Sequence, residues 1–220
     1  MPRTFYLKGK YEVALAEIQY PHTWTTMRKD LDYFIITRQT TNGTSKISII
    51  PKGYYKTIDQ LCSTINDILQ GEDDDELPIR LKYDRVTRRV YPMLKEHCEI
   101  HFSTGLAELL GFLPHRWYQK YSESEHKADV KRGFYTLYVY CSLCEPQVVG
   151  DYYVPLLRSV NIGGNDGDVV TKSYTDPHYV PINTSKFDTI EINIKDDTDH
   201  NVSFQTGKVV CKLHFRQKAL

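Results

Sequence analysis

The chain lacks a long apolar run, an excess of charge of either sign and a cysteine framework. No apolar stretch among its 220 residues approaches the ~20 that cross a bilayer as a helix, so no membrane partner is predicted. The 28 basic and 28 acidic residues cancel, which removes the electrostatic signature of specific nucleic-acid binding. Five cysteines, an odd number, favour a reducing intracellular origin. Residues Met1 to Lys10 match neither a signal peptide nor a transit peptide, so we expect a protein that is not secreted.

Catalytic groups at a recognisable spacing are also missing. No serine stands at a known family spacing from a paired histidine and aspartate. We therefore predict no enzymatic activity and no cofactor, and we assign no catalytic, cofactor-binding or metal-ligating residue.

The chain contains many segments with the two-residue period of a half-buried strand. In the last third, Ile190, Ile192 and Ile194 alternate with polar residues, and the run from Val209 to Arg216 alternates in the same way. The turn residues between the two runs favour a closing hairpin of a sandwich. Near the start, the run from Tyr11 to Tyr20 predicts a strand, with Ala14, Ala16 and Ile18 on one face. Strands at short spacing indicate a single domain over residues 1–220, a sandwich or a barrel.

Two segments break this period and predict inserted helices. Apolar residues recur at helical spacing over about 57–70, where Thr57 and Gln60 form a capping box and Gly71 ends the helix. A shorter helix is predicted over about 104–110, between Ser103 and Gly111. Before the first helix, the dipeptide at 42–43, Asn-Gly, is a strong hairpin signal.

Two groups of residues have the composition of a metal site. His97, Glu99 and His101 lie on a predicted strand at a spacing that puts them on one face, and two histidines with a carboxylate can bind iron. The alternative is the polar face of an amphipathic strand, which we favour. Cys141 and Cys144 form a single CxxC without a second pair, and we interpret them as small buried hydrophobes.

Three further segments have a functional and a structural interpretation. The acidic run 72–76 lacks the ligand spacing of a calcium loop, so we expect a solvated loop. The glycine-rich segment 163–167 resembles a phosphate cradle, but no helix follows it, and a flexible loop is the alternative. The basic, tyrosine-containing segment 80–91 is compatible with single-stranded nucleic acid, but we favour an ion-paired surface.

Aromatic side chains supply the candidate contact residues. The chain has 17 tyrosines, a residue enriched at protein interfaces. We expect residues 114–132 to form a long surface loop in which Trp117, Tyr118 and Tyr121 make contacts. Tyr152 and Tyr153 are further candidates, and the alternative is that one lies in the core and the other outside.

Five segments in order along the chain resemble the minor capsid protein of Polinton (Maverick) elements, large DNA transposons related to adintoviruses and virophages. The resemblance extends from near Arg3 to Arg216. Its segments are YEVALAEIQYPHTW (Tyr11 to Trp24), ISIIPKGYYKTIDQL (Ile47 to Leu61), STGLAELLGF (Ser103 to Phe112), LYVYCSLCEPQVVGDYYVPLLR (Leu137 to Arg158) and FDTIEINIKDD…GKVVCKLHFR (Phe187 to Arg216).

This resemblance implies an all-β fold, a single jelly-roll β-sandwich with eight strands in two sheets. It implies a penton-like structural protein, five copies of which close the vertex of an icosahedral shell beside a double jelly-roll major capsid protein. The expected location is the virion, after synthesis in the cytoplasm or nucleus of a host cell. Proteins of this family usually have some tens of residues before the stretch that matches Pro2 to Thr4, including an extended segment that resembles a first strand. The sequence here is either shortened or divergent at its start, and a missing strand would leave the sheet with an open edge.

Two other functions remain as alternatives. The first is a jelly-roll module that binds carbohydrate or peptide, and the second is a metal-dependent jelly-roll enzyme that uses His97, Glu99 and His101.

Overall fold

The protein is mainly β, with antiparallel sheets and two inserted helices, which confirms the predicted fold class. We describe residues 4–27, 33–38, 44–70, 80–94, 96–131, 134–197 and 199–218 of a computed structural model. The strands within these residues are β1 (Phe5–Tyr6), β2 (Tyr11–Pro21), β3 (Tyr33–Arg38), β4 (Thr44–Ile49), β5 (Arg80–Asp84), β6 (Arg89–Met93), β7 (Cys98–Phe102), β8 (Trp117–Tyr118), β9 (Thr136–Cys141), β10 (Gln147–Val149), β11 (Tyr152–Val154), β12 (Leu156–Asn161), β13 (Val169–Ser173), β14 (Val180–Pro181), β15 (Lys186–Phe187), β16 (Ile192–Lys195) and β17 (Val210–Gln217). The helices are α1 (Ile58–Gln70) and α2 (Thr104–Leu110).

The chain divides into two compact units. Unit 1 consists of Met1–Trp24 and Phe134–Leu220, and unit 2 is Thr25–Gly133 between them. Each unit has its own cluster of buried apolar side chains. The single jelly-roll domain over 1–220 stays a prediction.

Unit 1 is a β-sandwich of two antiparallel sheets. In the first sheet β17 pairs along most of β2, and β13 and β14 also pair with β2. In the second sheet β9 lies between β12 and β16. The inward side chains of both sheets share one core, in which Val13, Leu15, Leu137 and Val139 are fully buried. Pairing between β2 and β17, which are far apart in sequence, is typical of the Greek-key connections of jelly rolls.

A bulge in β2 changes which of its side chains face the core. The register between β2 and β17 shifts at Ala16, which has no partner residue on β17. Leu15 before the bulge and Ile18 after it are both fully buried in the same core, although three residues apart in a regular strand would face opposite sides. The prediction that Ala14, Ala16 and Ile18 share one face is therefore wrong, because the extra residue shifts the alternation.

The predicted closing hairpin is also wrong. β16 pairs with β9 in one sheet, whereas β17 pairs with β2 in the other. The alternation of both segments is real, and their apolar side chains pack against one shared core. After β16 the chain returns briefly beside that strand, through the Lys195–Asn201 bridge, and then continues to β17 in the other sheet.

Unit 2 combines a four-stranded sheet, a hairpin and both helices. The sheet has the order β4-β3-β7-β8, and β5 pairs with β6. β3 and β4 pair as the Asn-Gly signal predicts, but residues 41–43 lie outside the described residues. Side chains of the sheet and the helices pack into one core that includes Phe34, Ile65, Ile100, Phe102 and Leu106.

Local hydrogen bonds explain where the helices begin and end. At the start of α1 the Thr57 hydroxyl accepts the N–H of Gln60, and the Gln60 side chain accepts the N–H of Lys56. Gly71, predicted to end this helix, lies outside the described residues. In α2 the Ser103 hydroxyl accepts the N–H of Leu106, and Gly111 ends the helix with φ of 82°. Neither helix of the described chain is long and apolar enough to span a membrane.

Candidate contact surfaces

The outer face of the sheet in unit 2 has a row of exposed apolar side chains. Across the strands, Ile35 lies opposite both Ile47 and His101, and His101 lies opposite Trp117. Residues directly opposite on paired strands share a face, so these four side chains form one line across β4, β3, β7 and β8. We call Ile47, Ile35, His101 and Trp117 the apolar row. Ile47 is 64% exposed and Trp117 is 46% exposed, so both ends of the row are open to solvent.

The inner face of the same sheet explains why the apolar row points outward. Phe34, Ile100 and Tyr118 are the sequence neighbours of row residues, and all three are buried in the core of unit 2. Because side chains alternate along a strand, burial of these neighbours fixes the row on the opposite side. The row is therefore a mostly apolar outer surface, exposed at Ile47 and Trp117 and partly covered at Ile35 and His101.

Trp117 is held in place through the residue that follows it. The Tyr118 ring is in contact with Phe102 and Phe112, and its hydroxyl accepts the N–H of Leu113 at 2.8 Å. The same hydroxyl lies 3.1 Å from Oε2 of Glu125, and burial raises the pKa of Tyr118 to about 12. Part of the predicted surface loop is thus a strand, and Tyr118 belongs to the core and is unavailable as a contact residue.

His101 is a polar residue in the middle of the apolar row. Its ring centroid lies 5.2 Å from that of Trp117, and its Nδ1 is buried without a hydrogen-bond partner in the described part of the chain. Burial, with a smaller contribution from His115, lowers the pKa of His101 below its ordinary value.

A second exposed apolar patch lies in unit 1, on the hairpin of β10 and β11. Val148 lies opposite Tyr153, and Tyr152 is the first residue after the turn at 150–151. Val148, Tyr152 and Tyr153 are 77%, 74% and 71% exposed. Both tyrosines are therefore outside the core, which contradicts the alternative with one of them buried. We call these three residues the tyrosine hairpin.

A solved structure with an overall likeness to this chain is that of the selenomethionine-labelled mavirus penton protein. The two are 11% identical in sequence, with a TM-score of 0.48, and the match covers 97% of this chain and 90% of that one. No family model and no curated protein matches the sequence.

The three candidate iron ligands, for which a polar strand face was favoured, do not all lie on one strand face. His97 precedes β7, in a turn with φ of 65°, so it does not continue the strand face on which Glu99 and His101 lie. Glu99 accepts a hydrogen bond from the Gln119 side chain at 2.6 Å. Among the residues that the structure describes, no group of three or more His, Cys, Asp or Glu side chains is placed to hold a metal ion.

Cys141 and Cys144 lie in the core of unit 1, in agreement with the interpretation as buried hydrophobes. They occupy a turn at the end of β9, in which Cys144 donates its N–H to the Cys141 carbonyl at 3.1 Å. A hydrogen bond from the Cys144 thiol lowers the pKa of Cys141 to about 7, and raises the pKa of Cys144. Burial keeps both thiols away from solvent.

The glycine-rich segment is anchored to β2. The N–H of Gly163 donates to the Tyr20 hydroxyl at 2.9 Å, and the Gly163 carbonyl accepts a bond from His22 at 3.1 Å. The next element is β13, so no helix N-terminus is present to hold a phosphate. This agrees with the sequence argument against a phosphate cradle, and the flexible loop stays a prediction.

The basic hairpin of β5 and β6 makes ion pairs, as favoured from the sequence. Arg85 lies 3.2 Å from Asp59, and Arg89 lies 3.3 Å from Glu123. Its expected partner, the acidic run 72–76, lies outside the described residues.

The sequence pointed to Trp117 but missed Ile35 and Ile47. All three isoleucines in the segment Ile47-Ser48-Ile49-Ile50 fit a buried strand, but Ile47 and Ile49 are each 64% exposed. The polar Ser48 between them is buried. A small hydroxyl residue on the inner face with isoleucine on the outer face is the reverse of the usual pattern. A serine between isoleucines was therefore the sequence feature that could have indicated an exposed apolar face.

Proposed function

We propose that this protein is a structural subunit of an icosahedral shell, which assembles with four copies of itself at the vertex. The observation that carries the proposal is the presence of two separate exposed apolar patches, the apolar row in unit 2 and the tyrosine hairpin in unit 1. The five segments that resemble Polinton minor capsid proteins support the particular assembly, a penton-like pentamer. The protein acts by contact and performs no chemical reaction.

A closed ring requires two different surfaces on each subunit. In a ring the contact is heterologous, so one patch of each copy meets a different patch of the next copy. The apolar row and the tyrosine hairpin are different in shape and composition, as such a contact requires. A stable contact buries about 800 Å² per partner around aromatic anchors, a role suited to Trp117 and Tyr153.

A vertex protein also touches the rest of the shell. We propose the double jelly-roll major capsid protein as that partner and the virion as the location, after synthesis in the cytoplasm or nucleus of the host cell. Neither a membrane nor a specific nucleic acid is part of the proposal.

Two measurements test this function. Light scattering on the purified chain is expected to give the mass of a pentamer, and electron microscopy after co-expression with the matching major capsid protein is expected to show shells with occupied vertices. A monomer that stays absent from the shells, with a melting temperature that rises on addition of a glycan, would contradict the proposal and favour the carbohydrate-binding module.

Assembly is expected to weaken in acid because of His101. A partner that covers the apolar row removes more water from the imidazole of His101. The charged imidazolium form is therefore less favourable in the assembled state than in the free subunit. Below the pKa of His101 in the free subunit, which lies under the ordinary ~6.5, each contact is expected to lose up to about tenfold in affinity per pH unit. Sedimentation at a series of pH values measures this loss.

The variant His101→Gln is the control for the pH effect. Glutamine keeps a polar side chain in the row but does not titrate, so the acid-dependent loss is expected to disappear. A pH profile unchanged by His101→Gln would exclude His101 as the cause of the effect.

A further inference from the structure

The sandwich of unit 1 is open along one side. Val13 and Leu15 in β2 and Val139 in β9 are completely buried, whereas the inward residues of β16 and β17 are only half-buried. Between these two strands lies a groove of about 550 Å³, lined by apolar side chains that include Ile192, Ile194, Phe204, Val209, Cys211 and Leu213. The core is therefore incompletely covered where β16 and β17 face each other.

Backbone groups at the groove are available to a further strand. Within the described residues β17 pairs with β2 alone, so its other edge has no partner strand over Val210–Gln217. β16 pairs with β9, and among the residues that the structure describes its outer edge contacts a short return of the chain, through the Lys195–Asn201 bridge and the N–H of Val202, which donates to the Ile194 carbonyl. An exposed strand edge presents a row of N–H and C=O groups that another extended chain can pair with. The occupant that fits both the groove and the edge is an extended segment.

Charge on β17 selects among extended segments. Lys212, His214 and Arg216 alternate on its outward face, and Lys212 and Arg216 pair with Glu17 and Glu12 of β2. A second copy of β17 placed antiparallel at the free edge would bring cations against cations, which destabilises a sheet pair. Across the first sheet an acidic residue of β2 already lies beside a basic residue of β17. A segment whose outward residues are acidic would place a further carboxylate beside each of these basic residues.

We propose that the free edge of β17 binds an extended peptide segment of another protein in which apolar and acidic residues alternate. The apolar side chains enter the groove beside Cys211 and Leu213, and the acidic ones meet Lys212 and Arg216. This binding adds a strand to the first sheet and covers the exposed part of the core. This proposal goes beyond the proposed vertex function, because the whole peptide site lies within one subunit and does not require assembly.

The test uses synthetic nonapeptides and fluorescence anisotropy with the full chain. The probe alternates valine and glutamate. One control has the same composition with the valines and glutamates in separate blocks, and another has lysine in place of glutamate. We expect saturable binding of the alternating acidic peptide and at least about tenfold weaker binding of both controls. Equal binding of the blocked peptide, or no binding of the alternating one, overturns the proposal.

A matched pair of variants locates the peptide. Cys211→Trp fills the groove, whereas Val210→Trp puts the same side chain on the opposite face of β17, where Val210 is 44% exposed. We expect at least about tenfold weaker binding for the first variant and less than about twofold change for the second. Circular dichroism and the melting temperature show whether each variant is folded. If both folded variants bind alike, the groove is not the site.

A charge exchange tests the site if Cys211→Trp does not fold. The double variant Glu17→Lys with Lys212→Glu keeps the ion pair between the strands but reverses the charge at the edge. The acidic peptide is expected to bind about two- to fivefold more weakly and the lysine peptide more strongly by a similar factor. No change in either affinity overturns the proposal.

The other possible occupant is a second copy of this chain. In that case the free protein would form a dimer by light scattering, and the folded Cys211→Trp or Glu17→Lys/Lys212→Glu variant would be monomeric, which overturns the peptide proposal. The whole peptide site lies on one subunit, so failure of vertex assembly leaves the outcome of the peptide measurement unaffected.

Discussion

Replacing Gly111 by alanine is expected to lower the free energy of unfolding of unit 2 by about 3 kcal/mol. Gly111 ends α2 with φ of 82°, a conformation that costs about 1 kcal/mol for a residue with a Cβ. An added Cβ would also contact the carbonyl oxygen of His126 more closely than real Cβ atoms do. That carbonyl cannot move freely, because the N–H of His126 donates to the Gly111 carbonyl at 2.8 Å.

Urea denaturation followed by fluorescence measures this effect. The chain has two tryptophans, Trp24 in unit 1 and Trp117 in unit 2, so a Trp24→Phe background leaves Trp117 as the reporter of unit 2. The control is Gly53→Ala, also in unit 2, where an added Cβ meets nothing within 4 Å. We expect the control to change stability by less than about 1 kcal/mol. Similar losses for both variants would show that the close approach at His126 is not what requires glycine at 111.

Helix boundaries were predictable because their signals are local. The pattern over 57–70 and the pair Ser103 and Gly111 depend on residues within one turn of the helix end, and the structure has helices at Ile58–Gln70 and Thr104–Leu110. The same is true of the Asn-Gly signal between β3 and β4. Such signals act through hydrogen bonds between near neighbours, which a sequence displays directly.

Strand pairing was not predictable in the same way. The alternation in 190–195 and 209–216 identifies two strands, but it does not say that one pairs with β9 and the other with β2. The bulge opposite Ala16 is also invisible, because it arises from the register between β2 and β17, which are nearly 200 residues apart in sequence. Contacts of this range depend on the whole fold, and a local pattern does not encode them.

The candidate contact surfaces also combine features that a local sequence pattern predicts with features that depend on strand pairing. Contact residues were predicted at Trp117 and Tyr121, and both side chains are exposed. For Tyr152 and Tyr153 the sequence left two alternatives open, and the structure has both side chains exposed. Tyr118 was wrongly placed among the contact residues, because the pairing of β8 with β7 turns its ring into the core. The line from Ile47 to Trp117 exists only once four strands are aligned, and no stretch of sequence contains it.

Replacing Trp117 by alanine is expected to abolish assembly of the proposed pentamer at micromolar concentration. Trp117 is the largest side chain of the apolar row, and its ring lies against His101. Truncation of a tryptophan at the centre of an interface costs about 2 kcal/mol or more, which lowers the affinity of one contact at least about thirtyfold. A ring closes through five such contacts, so the loss recurs at each of them. Analytical ultracentrifugation is expected to show monomers for Trp117→Ala under conditions in which the unchanged chain is expected to sediment as the proposed pentamer.

Two further variants separate a contact in the apolar row from a general loss of aromatic surface. Tyr121→Ala removes a side chain that is 84% exposed but lies outside the row, and assembly is expected to persist. Ile47→Lys puts a charge at the other end of the row, and assembly is expected to fail as with Trp117→Ala, because the ammonium group would lose its water in the contact. Both positions are exposed, so the fold and the melting temperature are expected to change little. Pentamers that persist in both Trp117→Ala and Ile47→Lys would exclude the apolar row from the subunit contact and leave the tyrosine hairpin to be paired with another surface.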